Sequence, residues 1–199
     1  MLQIAQIGVG YWGPNLLRNL VANKRCKVSA VAELSSERRE FVRGFYPTVK
    51  VTESAEEVIH DPDIDAVVIA TPVATHFDLV MRALAAGKHI LVEKPMARSV
   101  AEVDEIGRLA TEKNRVAMVG HTFLFNSAVR YVKKLIDSGE LGDVRYIYSQ
   151  RLNLGRIRSD VDSLWNLAPH DISIIQYWLG DPKPLSVVRR GVLVDLGMR

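Results

Sequence analysis

The sequence of 199 residues has a single cysteine, Cys26, which excludes an intrachain disulfide and any cysteine-cluster metal site. Cys26 is expected near the end of a helical stretch, as a half-buried thiol. Charge of one sign is also scarce. The 26 basic and 23 acidic residues leave a net +3 and are scattered along the chain, so no arm or tract tracks a phosphate backbone, and nucleic acid is excluded as a partner. Apolar runs such as Ala66 to Ala70 stop far short of the roughly 18 residues that a membrane span needs. The N-terminus lacks a basic region followed by an apolar signal core, so a soluble, cytoplasmic protein is expected. Internal repeats and low-complexity segments are absent. What remains is an ordinary globular composition, 48% hydrophobic and 25% charged.

Short apolar runs rich in Val, Ile and Ala recur at residues 2–9, 28–32, 66–70, 89–92 and 116–119, separated by segments of helical periodicity. Unbroken apolar strands are buried on both faces, which requires crossover helices on each side: a doubly wound α/β fold with a parallel sheet. Ser54 with Glu57, and Ser99 with Glu102, have capping-box spacing at helix starts. Gly87 follows Phe77, Val80, Met81 and Leu84 as a helix-terminating glycine. The first domain is expected over residues 1–120. Over residues 121–199 the pattern changes to a helix at 129–137, a strand-like run at 144–152, a helix near 172–179 and an apolar run at 185–196. This reads as an incomplete α+β second domain for substrate binding and oligomerisation. Its uncovered apolar runs predict a homo-oligomer.

Gly8, Gly10 and Gly13 stand directly after the first strand and at the entrance of the first helix. There the first glycine permits the tight turn, the second lets the backbone approach a pyrophosphate, and the third lets helix and strand pack closely. Pro14 suits the first helical turn, where its missing donor is harmless. Glu33 ends the second strand 20 residues beyond Gly13, the offset of a carboxylate that binds the adenosine ribose hydroxyls. This favours NAD, with NADP as the alternative if Ser35, Ser36 and Arg38 hold a 2′-phosphate. A strand-end acid in solvent is the plainer reading of Glu33. Tyr11 and Trp12 either cover the cofactor or simply pack.

Three further segments, Ala70-Thr71-Pro72 with His76, Glu93-Lys94-Pro95, and Asn166 to Asp171, join this loop in resembling the glucose-fructose oxidoreductase and inositol dehydrogenase (Gfo/Idh/MocA) family. The resemblance covers nearly the whole chain, is strongest at Glu-Lys-Pro, and lies nearest to members such as UDP-N-acetylglucosamine 3-dehydrogenases, with a C-terminus expected to be short beside theirs. It implies that Thr71, Pro72 and His76 line the cofactor groove, that Glu93 lies beside the nicotinamide ribose, and that the Lys94–Pro95 bond is cis with Lys94 aimed into the cleft. By itself, His76 reads as a capping or surface histidine.

Oxidation of an alcohol removes a hydride and a proton, and the proton needs a base within hydrogen-bond reach. The resemblance implies that Lys94 binds the reacting hydroxyl and that His170 accepts its proton. The family's carboxylate four residues before that histidine is Asn166 here, one helical turn from His170 and on the same face. An amide orients a hydroxyl but takes no proton. Two functions are therefore expected: an NAD(P)-dependent oxidoreductase acting on a hydroxyl of a sugar or nucleotide sugar, or a cofactor-binding but catalytically impaired relative. Without the resemblance, Lys94 reads as a surface lysine and His170 as a helix-start histidine. His121 is a further candidate for the cleft. Arg151, Arg156 and Arg158 read either as partners of a sugar-nucleotide diphosphate or as a solvated basic loop. No metal site is expected.

Overall fold

The structure, a computed structural model, describes residues 1–152 and 162–191. Among the described residues six strands are present: β1 (Leu2–Ile7), β2 (Cys26–Ala32), β3 (Lys50–Thr52), β4 (Ala66–Ile69), β5 (His89–Val92) and β6 (Ala117–Val119). The helices are α1 (Gly13–Ala22), α2 (Ser36–Phe45), α3 (Ala55–Ile59), α4 (His76–Ala85), α5 (Val100–Glu112), α6 (Ser127–Asp137) and α7 (Ser163–Leu179). The strands form one sheet in the order β3-β2-β1-β4-β5-β6, every pair parallel. This is the doubly wound Rossmann arrangement. The chain leaves β1 first toward β2 on one side and later reaches β4 on the other, which opens a crevice at the carboxyl ends of β1 and β4.

The apolar strands bury both faces. Ala5, Ile7, Ala30, Ala32, Val67, Ile69, Ile90 and Val92 join one core cluster, while Val9, Leu17, Val28, Val31 and Val42 join another. Residues of β2 reach both clusters because successive side chains point to opposite faces, and the register shift between Ile4 and Ala5, which adds a residue at Ser29, puts Val28 in the same cluster as Val31. Leu17, Ile59, Ile69, Leu84 and Ile106 are each fully buried, worth about 1.5–3 kcal/mol apiece against exposure.

Local signals set the helix ends. Gly87 adopts φ +78°. It donates to Leu84 O while Lys88 N donates to Ala83 O, the paired bonds of a Schellman stop. Ser99 Oγ accepts from Glu102 N at 3.2 Å, and Glu102 Oε2 accepts from Arg98 N at 2.6 Å. Ser54 departs from its expected cap. Its N–H donates to Thr52 Oγ1 at 3.1 Å, its side chain caps nothing, and Glu57 pairs with Lys50 instead. Cys26 opens β2 rather than closing a helix, and it is half-buried as expected.

The chain divides into two compact units, Met1–Thr122 with Gln150–His170, and Phe123–Ser149 with Asp171–Arg199. In the second, Trp178 Nε1 donates to Val129 O at 2.9 Å, and Val129 and Ile174 are buried. The expected strand at 144–152 is not formed. Its alternation suits a pleat, but no strand among the described residues pairs with it, and Tyr146 and Tyr148 stay 85% and 73% exposed. Residues 185–191 likewise hold no strand, with Leu185, Val187 and Val188 exposed; the remainder of that run lies outside the described residues. Helix α7 starts nine residues earlier than expected and contains Pro169, whose missing N–H leaves the Trp165 carbonyl without its ladder bond. No helix among the described residues is long and apolar enough to cross a membrane.

Candidate dinucleotide and substrate site

The carboxyl ends of the strands arrive in register. Gly8 N donates to Ala32 O, Ala70 N to Ile7 O, Glu93 N to Ile69 O and Gly120 N to Val92 O, all within 2.8–2.9 Å. One edge of the sheet therefore presents Glu33, Gly8, Thr71, Glu93 with Lys94, and His121, in that order. All of these are candidates from the sequence.

The three glycines do different work. Gly8 has φ +92°, and a Cβ there would lie 2.7 Å from Ala70 O. A Cβ on Gly13 would lie 2.6 Å from Gly8 O. Both positions are closed by backbone, so only glycine fits. Gly10 is the opposite case, with nothing within 4 Å of where its Cβ would stand. Its missing side chain opens space outward, the requirement for close approach of a ligand. Helix α1 begins beside it with Pro14 in the first turn, no side-chain cap and no acidic residue there, so its partial positive charge is left for an anion.

Glu33 reaches back to this loop. Its Oε2 accepts from Val9 N at 2.6 Å and its Oε1 from Ser35 N at 2.9 Å, while Arg39 Nη1 donates to its carbonyl at 2.9 Å. A half-buried carboxylate fixed in this way is tied to the loop rather than being a free surface acid. Tyr11 and Trp12 are 79% and 47% exposed, so neither serves the core. A cradle open at Gly10, an uncapped helix start and a carboxylate 24 positions from Val9 on the loop together fit a dinucleotide.

At the other side of the crevice, His76 is 1% exposed. Its Nδ1 lies 2.8 Å from Pro95 O and its Nε2 2.9 Å from Thr71 O. The ring thus ties the turn after β4 to the turn after β5, and it neither lines an open groove nor lies at the surface. Thr71 Oγ1 bonds Thr75 Oγ1 at 2.7 Å, and Pro72 is exposed. The Lys94–Pro95 bond is cis.

Glu93 is half-buried, and Oε1 would lie 3.1 Å from a Cβ on Gly120, so the glycine makes room for the carboxylate. Burial raises the Glu93 carboxyl above its ordinary value, opposed by the bond from Lys94 N at 3.2 Å and by the Lys94 charge. Burial lowers the His121 imidazole, and its Nδ1 has no hydrogen-bond partner among the described residues. Lys94 Nζ donates to Asn166 O at 2.9 Å. Asn166, Pro169 and His170 lie half-buried on α7, with Asn166 and His170 one turn apart. Asp171 is counted with the second unit and bonds Ser149 Oγ at 3.1 Å. Arg151 is exposed; Arg156 and Arg158 lie outside the described residues. No group of three metal-ligating side chains occurs among the described residues.

Sequence reasoning missed Gln6 and Gly120. Gln6 interrupts an apolar strand two residues before Gly8 and was readable as a polar residue in a doubly buried run. Gly120 bears no sequence signal apart from its place after β6.

Comparison with known proteins agrees with this geometry. Residues 2–121 match the GFO_IDH_MocA profile, described as an oxidoreductase family with an NAD-binding Rossmann fold. The NAD-dependent scyllo-inositol 2-dehydrogenase of Bacillus subtilis is 31% identical over 90% of this chain and 54% of its own. The dTDP-3,4-didehydro-2,6-dideoxy-alpha-D-glucose 3-reductase of Streptomyces violaceoruber is 35% identical over 70% of this chain and 42% of its own. The scyllo-inositol dehydrogenase of Lactobacillus casei, solved with NAD(H) and scyllo-inositol, has a TM-score of 0.76 at 22% identity over 90% of this chain and 56% of that one, a likeness of fold. The chain spans about half the length of the curated relatives it matches. With the match running from the first strand to the residue after the sixth, this chain belongs to the GFO_IDH_MocA oxidoreductase family and carries its NAD-binding Rossmann domain.

Proposed function

We propose that the protein is an NAD-dependent dehydrogenase acting on a hydroxyl of a sugar or nucleotide sugar, with Lys94 binding that hydroxyl and His170 accepting its proton. The observation that carries this reading is the 2.9 Å bond from Lys94 Nζ to Asn166 O, which ties the lysine after β5 to the helical turn that bears His170. NAD, when bound, supplies the hydride acceptor. The chain's own residues divide the remaining work. Lys94 polarises the hydroxyl oxygen and stabilises negative charge as it develops. His170 takes the proton, so that the carbinol carbon gives up a hydride, its oxygen gives up a proton, and a carbonyl remains.

Glu33, with its carboxylate held against the loop, favours NAD over NADP because a 2′-phosphate beside it would be repelled. Thr71 and Pro72 line the cofactor groove, and Glu93 lies beside the nicotinamide ribose. A sugar substrate is supported by the inositol dehydrogenase relative, and a nucleotide sugar by the dTDP-sugar reductase. The exposed Tyr146, Tyr148, Leu185, Val187 and Val188 support self-association. A reducing cytoplasm suits the lone thiol and the soluble cofactor.

Calorimetric titration with NAD and NADH, followed by a panel of sugars and UDP-sugars monitored for NADH formation, tests the reading. Binding with turnover supports it. Binding without turnover on any member of the panel favours a second reading, a cofactor-binding but impaired relative, for which Asn166 in the place of the family's carboxylate speaks. Absence of NAD binding overturns both.

A further inference from the structure

Gln6 is an amide in the middle of an otherwise apolar strand, and it is completely buried. A buried amide is retained at a loss unless its hydrogen bonds replace those made with water. Its Nε2 donates to Gly8 O and to Gly13 O, each at 2.9 Å. Both partners are carbonyls, so the amide orientation follows from chemistry: only the NH2 end, with two hydrogens, answers two acceptors. Oε1 receives no hydrogen bond among the described residues. The side chain therefore serves the two glycine carbonyls and nothing else.

Those carbonyls bracket the turn that faces the cofactor. Pulled toward one nitrogen, Gly8 O and Gly13 O point into the protein at both ends of the turn, and the backbone between them is left to face outward. The same convergence explains Gly13. A Cβ there would meet Gly8 O at 2.6 Å and Gln6 Nε2 at 3.1 Å, so the third glycine is required by the clamp as well as by helix packing.

We propose that Gln6 is a positioning residue for dinucleotide binding, a clamp that presets the Gly8–Gly13 turn in its pyrophosphate-binding shape before any ligand arrives. This rests on the reading of that turn as the NAD site. Preset shape matters because a loop that must order on binding subtracts that ordering from affinity. The clamp acts on the phosphates and leaves the adenosine and nicotinamide ends to other residues.

The test uses Gln6→Met, close in length and free of donors, and Gln6→Glu, which turns a carboxylate toward two carbonyls. Calorimetry reads the Kd for NAD and for ADP-ribose, and thermal unfolding is followed in the same preparations. Gln6→Met is expected to weaken both ligands by about tenfold, the value of a lost hydrogen-bond clamp, with a modest fall in melting temperature, because Gly8 O and Gly13 O lose their donor while the unpaired Oε1 leaves with the amide. Gln6→Glu is expected to bind more weakly still, or not to fold. Unchanged Kd in Gln6→Met overturns the proposal, and so does a loss of affinity that merely follows a loss of stability. An unsubstituted chain that binds neither NAD nor ADP-ribose overturns the site reading and the clamp's role with it, and is told apart by needing no variant.

Discussion

The ammonium of Lys94 is held by the backbone carbonyl of Asn166, not by its side chain, across 72 positions of sequence. The carbonyl accepts from the lysine without neutralising it, and the Glu93 carboxyl next to it in sequence also feels the lysine's charge. The bond also anchors the turn after β5 to the first turns of α7. Because the acceptor is backbone, the anchor is independent of the residue type at 166.

Removal of the ammonium separates binding from chemistry. Lys94→Ala is expected to abolish detectable turnover on any sugar that the unsubstituted protein oxidises, while the Kd for NAD changes by no more than about threefold, since the lysine serves the substrate side. Turnover and calorimetry in one preparation check this. Unchanged turnover removes Lys94 from the mechanism.

Asn166 gives a test with the opposite sign. Asn166→Asp leaves the carbonyl in place for Lys94 and supplies a carboxylate one turn from His170, where it stabilises the imidazolium formed as the proton is taken. If His170 is the base and lacks only this support, kcat should rise by about tenfold, within the range of general-base effects. Asn166→Ala should leave kcat within about threefold of the starting value. A large fall in Asn166→Ala would mean that the amide itself contacts the substrate.

The parts of this molecule that were legible in sequence are those where backbone geometry leaves few residue choices. Gly8 and Gly13 sit where a Cβ meets carbonyl oxygen, Gly87 where φ is +78°, and Glu33 at the end of a strand beside the loop. Three features escaped for physical reasons. Strand β3 is a three-residue edge strand, too short for an apolar run. The segment at 144–152 alternates as a strand does, but a strand exists only with a partner, and alternation says nothing of partners. The resemblance puts His76 on the groove, whereas its ring is buried between the Thr71 and Pro95 carbonyls, one facing each nitrogen. Its sequence context does not reveal a bond to Pro95, 19 residues away.

Two glycines of one motif should respond differently to the same methyl group. Gly13→Ala forces Gly8 O and Gln6 aside and is expected to destabilise the fold by about 1–3 kcal/mol, the ordinary result of overpacking, with loss of NAD binding. Gly10→Ala meets nothing within 4 Å. It should leave the melting temperature within a few degrees, because a change of less than about 1 kcal/mol shifts Tm little in a chain of this size. NAD affinity should nevertheless fall at least about tenfold, from a methyl placed where the pyrophosphate approaches. Thermal unfolding with and without NAD separates the two. Equal destabilisation by both variants would contradict the difference in their surroundings.

His121 and Glu93, on neighbouring strand ends, make stability depend on pH in opposite senses. Burial holds the His121 imidazole below a histidine's ordinary 6.5, so the unfolded chain binds that proton more readily than the folded one. The stability it contributes is fully present above 6.5 and is lost as pH falls below that value toward the folded one. Glu93 is raised above a carboxyl's 4.5, chiefly by burial. Its contribution is present below 4.5 and is lost as pH rises from there through the folded value. Replacement by uncharged side chains separates the two. His121→Asn should flatten the decline in melting temperature between pH 7 and pH 5. Glu93→Gln, which keeps the carboxyl's shape without its charge, should remove the opposing trend and steepen the decline on acidification. Melting curves at half-unit pH intervals for the three proteins give the comparison. An His121→Asn curve parallel to that of the unsubstituted protein would show that the imidazole gains a proton as easily in the folded chain as in water, and that its buried Nδ1 finds an acceptor.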